Sequence, residues 1–177
     1  MLDDGRTIAL HGTIDRIDQV TYPDDGLPTY RILDYKTGTV KIITSEKEQK
    51  QPPAAYFNKY FTDPDFKAGF QAYMYAYLFW VSQQRNARII IGIYELKRIN
   101  EGITLLRSGT LISNDFFEAF EQKLKTLLSE LFNYDLPFIQ TADLERYEYS
   151  PFKKLVSLWC YAPLKSVGFK NSYYSTR

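Results

Sequence analysis

Two short stretches decide the fold: residues 32–38, which read ILDYKTG, and residues 12–18, which read GTIDRID. Both resemble strands, and the polar loop between them predicts an antiparallel pair. Successive side chains of a strand point to opposite faces, so Asp34 and Lys36 share one face of the second strand. Antiparallel pairing can bring Asp15 of the first strand beside Asp34. We therefore expect two carboxylates and one ammonium group to converge at one surface of a sheet.

This trio of charged groups has a chemical use. Carboxylate oxygens are hard ligands for Mg²⁺, which binds proteins through one or two carboxylates together with waters and phosphate. The metal offsets phosphate charge and lowers the pKa of a bound water, which a neighbouring lysine can orient or deprotonate. These ingredients fit phosphodiester hydrolysis. The alternative is an ordinary surface ion pair of Lys36, because a single Asp-x-Lys is common; the two stretches together are more specific.

Arg16 and Asp18 lie one and three residues from Asp15, so both face away from it on the same strand. We expect them to form supporting ion pairs.

The rest of the chain predicts the order β-β-α-β-β-α, which is typical of an α/β fold with a mixed sheet flanked by helices. Asp63 and Pro64 suit the N-cap and first position of a long helix whose apolar residues recur with a 3.6-residue period. Asp115 and Glu118 resemble a capping box for a second helix. The predicted strands are 7–20, 30–39, 88–96 and 102–110, the helices 63–81 and 115–132, and the loops 22–29 and 45–53, the last polar and mobile.

Composition excludes several classes of protein. The 177 residues carry 22 Lys+Arg and 21 Asp+Glu, so nucleic-acid binding must come from a local site. One cysteine excludes a disulfide framework, a four-cysteine zinc site and a cysteine-ligated iron–sulfur cluster. No apolar run approaches the length of a membrane span, and a cytoplasmic location is the default.

Aromatic residues make up 16% of the chain. They occur at helical spacing without interleaved Lys and Arg. This pattern favours an aromatic core with Tyr hydroxyls at its rim over a stacking surface for bases.

GTIDRID followed by ILDYKTG resembles the RecB-family branch of the PD-(D/E)XK nucleases, and the similarity extends over residues 7–156. It implies a restriction-endonuclease-like core, in which a mixed central sheet is flanked by helices. It further implies that Asp15 and Asp34 bind Mg²⁺, for which Mn²⁺ substitutes. By the same resemblance, the backbone carbonyl of Tyr35 contributes to the metal site and Lys36 is catalytic.

Two further segments are similar to this family. A Gln-x-x-x-Tyr motif on the helix after the hairpin is matched by Gln71 and Tyr75, whose spacing puts both side chains on one helix face. The resemblance implies that they contact DNA phosphate or orient the lysine. AddB-type exonucleases bind an iron–sulfur cluster through C-terminal cysteines; here Tyr147, Ser150 and Val156 stand at those positions, so no cluster is expected.

The chain departs from the family at its start. The family has an upstream helix with a His or Glu that completes the metal site, and no such helix precedes Asp15. His11 does not match that motif. A turn signal at Asp3-Asp4-Gly5 follows only two residues. We therefore expect residues 1–177 to be a single nuclease domain and a C-terminal fragment of a larger helicase–nuclease subunit.

The sequence thus predicts a metal-dependent DNA nuclease, an exonuclease by its resemblance to AddB. Its expected setting is recombination and double-strand-break repair, with DNA and a helicase subunit or domain as partners and no membrane. One alternative is a non-catalytic module of the same fold that binds DNA or a helicase. The other is a metal-dependent phosphoesterase acting on something other than DNA.

Overall fold

The computed structural model describes residues 5–21 and 26–137. Contacts along the chain divide it into two units, Met1–Tyr134 and Asp135–Arg177. All the elements given below belong to the first unit. The single domain expected for residues 1–177 stays a prediction. Five residues named above lie outside the described part: Asp3, Asp4, Tyr147, Ser150 and Val156.

The described part contains a four-stranded mixed sheet, as the sequence predicts. Its strands are β1 (Arg16–Thr21), β2 (Pro28–Lys36), β3 (Ile89–Glu95) and β4 (Ile103–Leu105), in the spatial order β1-β2-β3-β4. β1 pairs antiparallel with β2, and β4 pairs antiparallel with β3. β2 and β3 run parallel, so the chain between them must cross the sheet. The predicted α/β class and mixed sheet are confirmed.

Within residues 5–21 and 26–137, five α-helices accompany the sheet: α1 (Glu46–Gln49), α2 (Pro53–Tyr56), α3 (Asn58–Thr62), α4 (Lys67–Ser82) and α5 (Asn114–Leu131). The two long ones, α4 and α5, are the predicted helices. α4 packs on β2 and β3, and α3 and α5 pack against α4. The same described ranges contain three 3₁₀ segments, at Pro64–Phe66, Leu96–Glu101 and Leu106–Gly109.

The predicted loop at 45–53 is wrong in part, because α1 occupies four of its nine residues and α2 begins at its last residue. The side-chain amide of Gln49 donates to the carbonyl oxygens of Ile43 and Thr44, which ties α1 to the chain before it. Pro53 starts α2 at the first helical position, where its missing N–H has no consequence.

The first strand begins at Arg16 and not at residue 7. The backbone N–H of Tyr35, on the neighbouring strand, donates to the carboxylate of Asp15 at 2.9 Å. A side chain therefore takes the place of the next main-chain partner, and the β1–β2 ladder ends at the pair Arg16 and Leu33.

Both long helices begin differently from their predictions. Asp63 does act as a cap, because its carboxylate accepts from Asp65 N, but it caps the 3₁₀ segment that leads into α4. The N-cap of α5 is Ser113, with no side-chain capping bond, so the predicted capping box is wrong. Asn114, the first residue of α5, accepts a hydrogen bond from the indole N–H of Trp80 instead.

β4 is shorter than the predicted strand at 102–110. Arg107 and Ser108 both have positive φ, of 49° and 53°. This left-handed pair turns the chain out of the sheet after Leu105.

The core contains most of the aromatic residues of the helices, which confirms the core interpretation of the composition. Three of its four tyrosines differ from the expectation, since Tyr56, Tyr60 and Tyr73 are at most 4% exposed and keep their hydroxyls inside the core and not at its rim. The Tyr56 hydroxyl lies 2.8 Å from that of Tyr73 and 3.2 Å from that of Tyr60. Tyr60 also accepts from the backbone N–H of Ile43, so the buried hydroxyls satisfy one another and one amide.

Gly69→Ala is expected to lower the free energy of unfolding by roughly 1–3 kcal/mol, the usual cost of overpacking a core. A Cβ at Gly69 would overlap the buried ring of Tyr60, and this outweighs the gain of about 1 kcal/mol in helix propensity. Gly38→Ala is the matched control, because its Cβ would meet nothing within 4 Å. Urea denaturation of both variants measures the difference; equal midpoints would show that the core around Tyr60 is loose.

Candidate active site

Asp34 and Lys36 lie in the last three residues of strand β2, and their side chains project toward helix α4. Asp34 is only 1% exposed, and its Oδ2 lies 2.6 Å from the ammonium nitrogen of Lys36. Lys36 Nζ also donates to Gln71 Oε1 at 2.7 Å. The alternation predicted for this strand therefore holds: the carboxylate and the ammonium lie together on the face that α4 covers.

Asp15 reaches the same place from the residue just before β1. Its Oδ2 accepts the Tyr35 amide at 2.9 Å, and its charge is close enough to raise the pKa of Asp34. The N–H and C=O of one strand residue point to the same side of the strand. The Tyr35 carbonyl therefore also points toward the side on which Asp15 lies, where the resemblance places it.

The surroundings of the Asp34 carboxylate disfavour its charged form. Burial raises its pKa above the usual value, the ion pair with Lys36 lowers it, and the charge of Asp15 raises it further. The contact with Lys36 is close, yet neither oxygen has a well-aligned hydrogen bond from the described residues. Oδ1 is buried with no donor at all among them. Buried carboxylate oxygens are normally paired, so this one is open to a further cation.

Helix α4 supplies two polar side chains to the site. Gln71 and Tyr75 lie one turn apart, and Gln71 Nε2 donates to the Tyr75 hydroxyl at 2.7 Å. Since Gln71 Oε1 accepts from Lys36, the two bonds fix which end of the amide faces the lysine. The contacts thus run unbroken from Asp34 through Lys36 and Gln71 to Tyr75.

The residues present fit a divalent metal of the Mg²⁺ type. Asp15 and Asp34 offer carboxylate oxygens, and Mg²⁺ characteristically takes one or two carboxylates and completes its shell with water and phosphate. Within residues 5–21 and 26–137, no group of three or more His, Cys, Asp or Glu stands together. His11 is exposed and adds no third ligand to the two aspartates.

The model of the PD-(D/E)XK nuclease superfamily matches residues 2–152, which is most of the chain. The chain belongs to the PD-(D/E)XK nuclease superfamily. Its mixed sheet with flanking helices is the restriction-endonuclease-like core of these nucleases, which typically use divalent metals such as Mg²⁺. Comparisons with curated proteins and with solved structures give no match. In the described ranges, no helix is both long enough and apolar enough to cross a membrane.

The opposite face of the nuclease sheet carries the supporting ion pairs that the sequence predicts. Asp18 lies 2.6 Å from Arg16 through one oxygen and 2.6 Å from Arg31 through the other. Hydrogen bonds from the two guanidinium groups hold the pKa of Asp18 below its usual value. Arg16 also donates to the hydroxyl of Tyr35, whose ring lies on this face. Asp15 and Asp18, three residues apart, therefore lie beside groups of opposite charge: Asp15 is near the carboxylate of Asp34, and Asp18 is between two guanidinium groups.

Two residues near the site escape the sequence analysis. Glu95 ends β3 in register with Lys36, is 5% exposed, and accepts the backbone N–H of Val40 at 3.1 Å. Its signal was a charged residue closing a run of apolar ones. Gly12 packs against Tyr75; nothing in the sequence before the helix indicated that contact.

Asp34→Asn is expected to raise the free energy of unfolding at pH 7, even though it removes a proposed metal ligand. The folded-state pKa of Asp34 is raised, so its charged form opposes folding, and this effect disappears as the pH falls through that pKa. The advantage of Asp34→Asn over the wild type should therefore shrink between pH 7 and pH 4 in metal-free urea titrations.

Asp18→Asn is the matched control, with the opposite sign. Because the pKa of Asp18 is lowered, its charge stabilises the fold above the unfolded-state value and this stabilisation is lost in acid. A pH-independent difference for Asp34→Asn, or a loss of stability like that of Asp18→Asn, would contradict the assigned burial of the Asp34 charge.

Proposed function

We propose that this chain is a metal-dependent deoxyribonuclease that hydrolyses phosphodiester bonds as an exonuclease of the RecB/AddB type. The observation that carries the proposal is the meeting of Asp15, Asp34 and Lys36 at the end of strand β2, with an Asp34 oxygen that has no donor among the described residues. Membership of the nuclease superfamily supports the reaction class. The exonuclease mode and the subfamily rest on the sequence resemblance.

In the proposed mechanism, the carboxylates of Asp15 and Asp34 and the carbonyl of Tyr35 would hold a divalent ion. Such an ion neutralises phosphate charge and lowers the pKa of water when it is bound. Lys36 is held between Asp34 and Gln71, so its ammonium group has a fixed direction, from which it orients the attacking water or stabilises negative charge on phosphate. Gln71, itself fixed by Tyr75, contributes alignment and not proton transfer.

Lys36→Ala should reduce cleavage of linear DNA in Mg²⁺ by about 10²–10⁴-fold, the usual contribution of a positioned acid–base group. Asp15→Asn and Asp34→Asn should lose activity in both Mg²⁺ and Mn²⁺. The control is Asp18→Asn, which changes the same residue type on the other face of the sheet and should keep cleavage within a few-fold of the wild type. Gel-resolved degradation of end-labelled single- and double-stranded DNA measures all four. Equal losses in Asp15→Asn and Asp18→Asn would refute the site.

Mg²⁺ should also raise the melting temperature of the wild type. A ligand at 100 times its Kd stabilises the folded state by about 2.7 kcal/mol, provided that it binds only that state. Asp34→Asn should show little of this increase, whereas Asp18→Asn should show all of it. Calorimetry at several Mg²⁺ concentrations, without DNA, tests metal binding separately from cleavage. Equal shifts in all three proteins would place the metal elsewhere.

The proposed setting is a helicase–nuclease complex of recombination and double-strand-break repair, with a helicase subunit or domain as the partner. It is supported by the resemblance of the two aspartate stretches and of the Gln71–Tyr75 pair to RecB-type nucleases. Degradation of linear DNA with retention of closed circular DNA would support exonuclease action. Nicking or linearisation of circles at a similar rate would assign an endonuclease instead.

The second candidate is a non-catalytic module of the same fold that binds DNA or a helicase. It is favoured by the finding that the described residues bring only two carboxylates together, with no third His, Cys, Asp or Glu. This module would bind DNA without cutting it, and its binding would survive Lys36→Ala. The activity assay above decides between the two candidates.

A further inference from the structure

We propose that Gly12 is a positioning residue for the nuclease reaction: the absence of a side chain there sets the direction of Lys36 through Tyr75 and Gln71. The proposal rests on the proposed function for its kinetic consequence and on the contacts for its geometry. It assigns a role to the glycine that opens the GTIDRID stretch, three residues before a proposed metal ligand.

Gly12 is required because a side chain there would have too little room, and not because of its backbone conformation. Gly12 does not have the positive φ that favours glycine, unlike Gly5, Gly26 and Gly102. A Cβ built at Gly12 would lie 3.1 Å from Cε1 and 3.5 Å from Cδ1 of Tyr75. A separation of 3.1 Å between two carbons is below their optimal distance of about 3.5–4.0 Å, so one of the groups must move.

The Tyr75 ring is the group that moves. The ring is only partly buried, so it has room to move. The only other residue that the new Cβ would meet within 4 Å is Leu78, whose Cδ1 would lie at an ordinary van der Waals distance of 3.7 Å and need not move. A partly buried ring at the margin of the core shifts at a smaller cost in stability than a fully buried one. Its hydroxyl, however, is the acceptor for Gln71 Nε2 at 2.7 Å, and a shift of a few tenths of an ångström strains that bond.

The shift of the Tyr75 ring then affects Lys36 through Gln71. Without the Tyr75 hydroxyl as a fixed acceptor, the Gln71 amide is free to rotate, and its Oε1 no longer holds Lys36 Nζ. Lys36 keeps its ion pair with Asp34 but loses its second restraint. The predicted result is a lysine in the right place with the wrong direction.

The segment before β1 therefore has two anchors on different elements. Asp15 is anchored on the Tyr35 amide of β2, and Gly12 lies on the Tyr75 ring of α4. One short irregular stretch thus brings a metal-binding carboxylate to the strand and sets the helix side chains that direct Lys36.

The test is a double-mutant cycle of Gly12→Ala and Tyr75→Phe, with Gly38→Ala as the control for a new methyl group in open space. A misplacement of 1 Å costs up to about 10²-fold in rate, so Gly12→Ala should lower kcat about 10-fold, with KM, the Mg²⁺ dissociation constant and the urea midpoint nearly unchanged. Tyr75→Phe keeps the ring and removes the acceptor, and the double variant should be no slower than Tyr75→Phe alone.

Multiplication of the two losses in the double variant would overturn the proposal, because Gly12 would then act by another route. So would a weakened Mg²⁺ affinity in Gly12→Ala, which would mean that the new methyl group displaces Asp15. An equal loss in Gly38→Ala would overturn it as well.

A second readout does not depend on activity. The side-chain amide NMR signals of Gln71, assigned by their loss in Gln71→Glu, should shift in Gly12→Ala and stay unchanged in Gly38→Ala. If the wild type does not cleave DNA, the proposed function fails, and these signals alone decide the positioning: a shift supports it and unchanged signals overturn it.

Discussion

Parallel pairing of β2 with β3 is the constraint on which the rest of the molecule depends. Parallel neighbours cannot be joined by a tight turn, so the chain that leaves Lys36 must cross one face of the sheet before it returns at Ile89. The helix that makes the crossing, α4, packs on both strands and lies on the face that bears Asp34 and Lys36. The meeting of Gln71 with Lys36 follows from this crossing.

Two aspartates of the same sheet show how the fold assigns different chemistry to one residue type. Asp18 is surrounded by two guanidinium groups, and its pKa is lowered; Asp34 is buried beside one lysine and another carboxylate, and its pKa is raised. The first arrangement stabilises the folded chain. The second costs stability, because desolvation of a carboxylate exceeds what a single partner returns. Perturbed pKa values cluster at functional sites, and here the raised pKa belongs to a proposed metal ligand.

The aromatic core gives the crossing helix its fixed position. Buried rings from α2, α3 and α5 surround α4, and three tyrosine hydroxyls inside this cluster bond to one another and to the amide of Ile43. The hydroxyls are therefore satisfied without water, which is why the expectation of tyrosines at the rim is wrong for these residues. Close packing at Gly69 then sets how near α3 approaches α4.

The sequence by itself determined the periodic features: the two strands, the two long helices, the shared face of Asp34 and Lys36, and the shared face of Gln71 and Tyr75. Alternation along a strand and spacing along a helix are local properties, so residue types and intervals are enough to predict them. Tertiary structure decided the start of β1 at Arg16, the N-cap at Ser113, the burial of Glu95 and the contact of Gly12 with Tyr75. Each of these depends on a partner from another element, such as the Tyr35 amide for Asp15, and no local pattern encodes which distant group will arrive there.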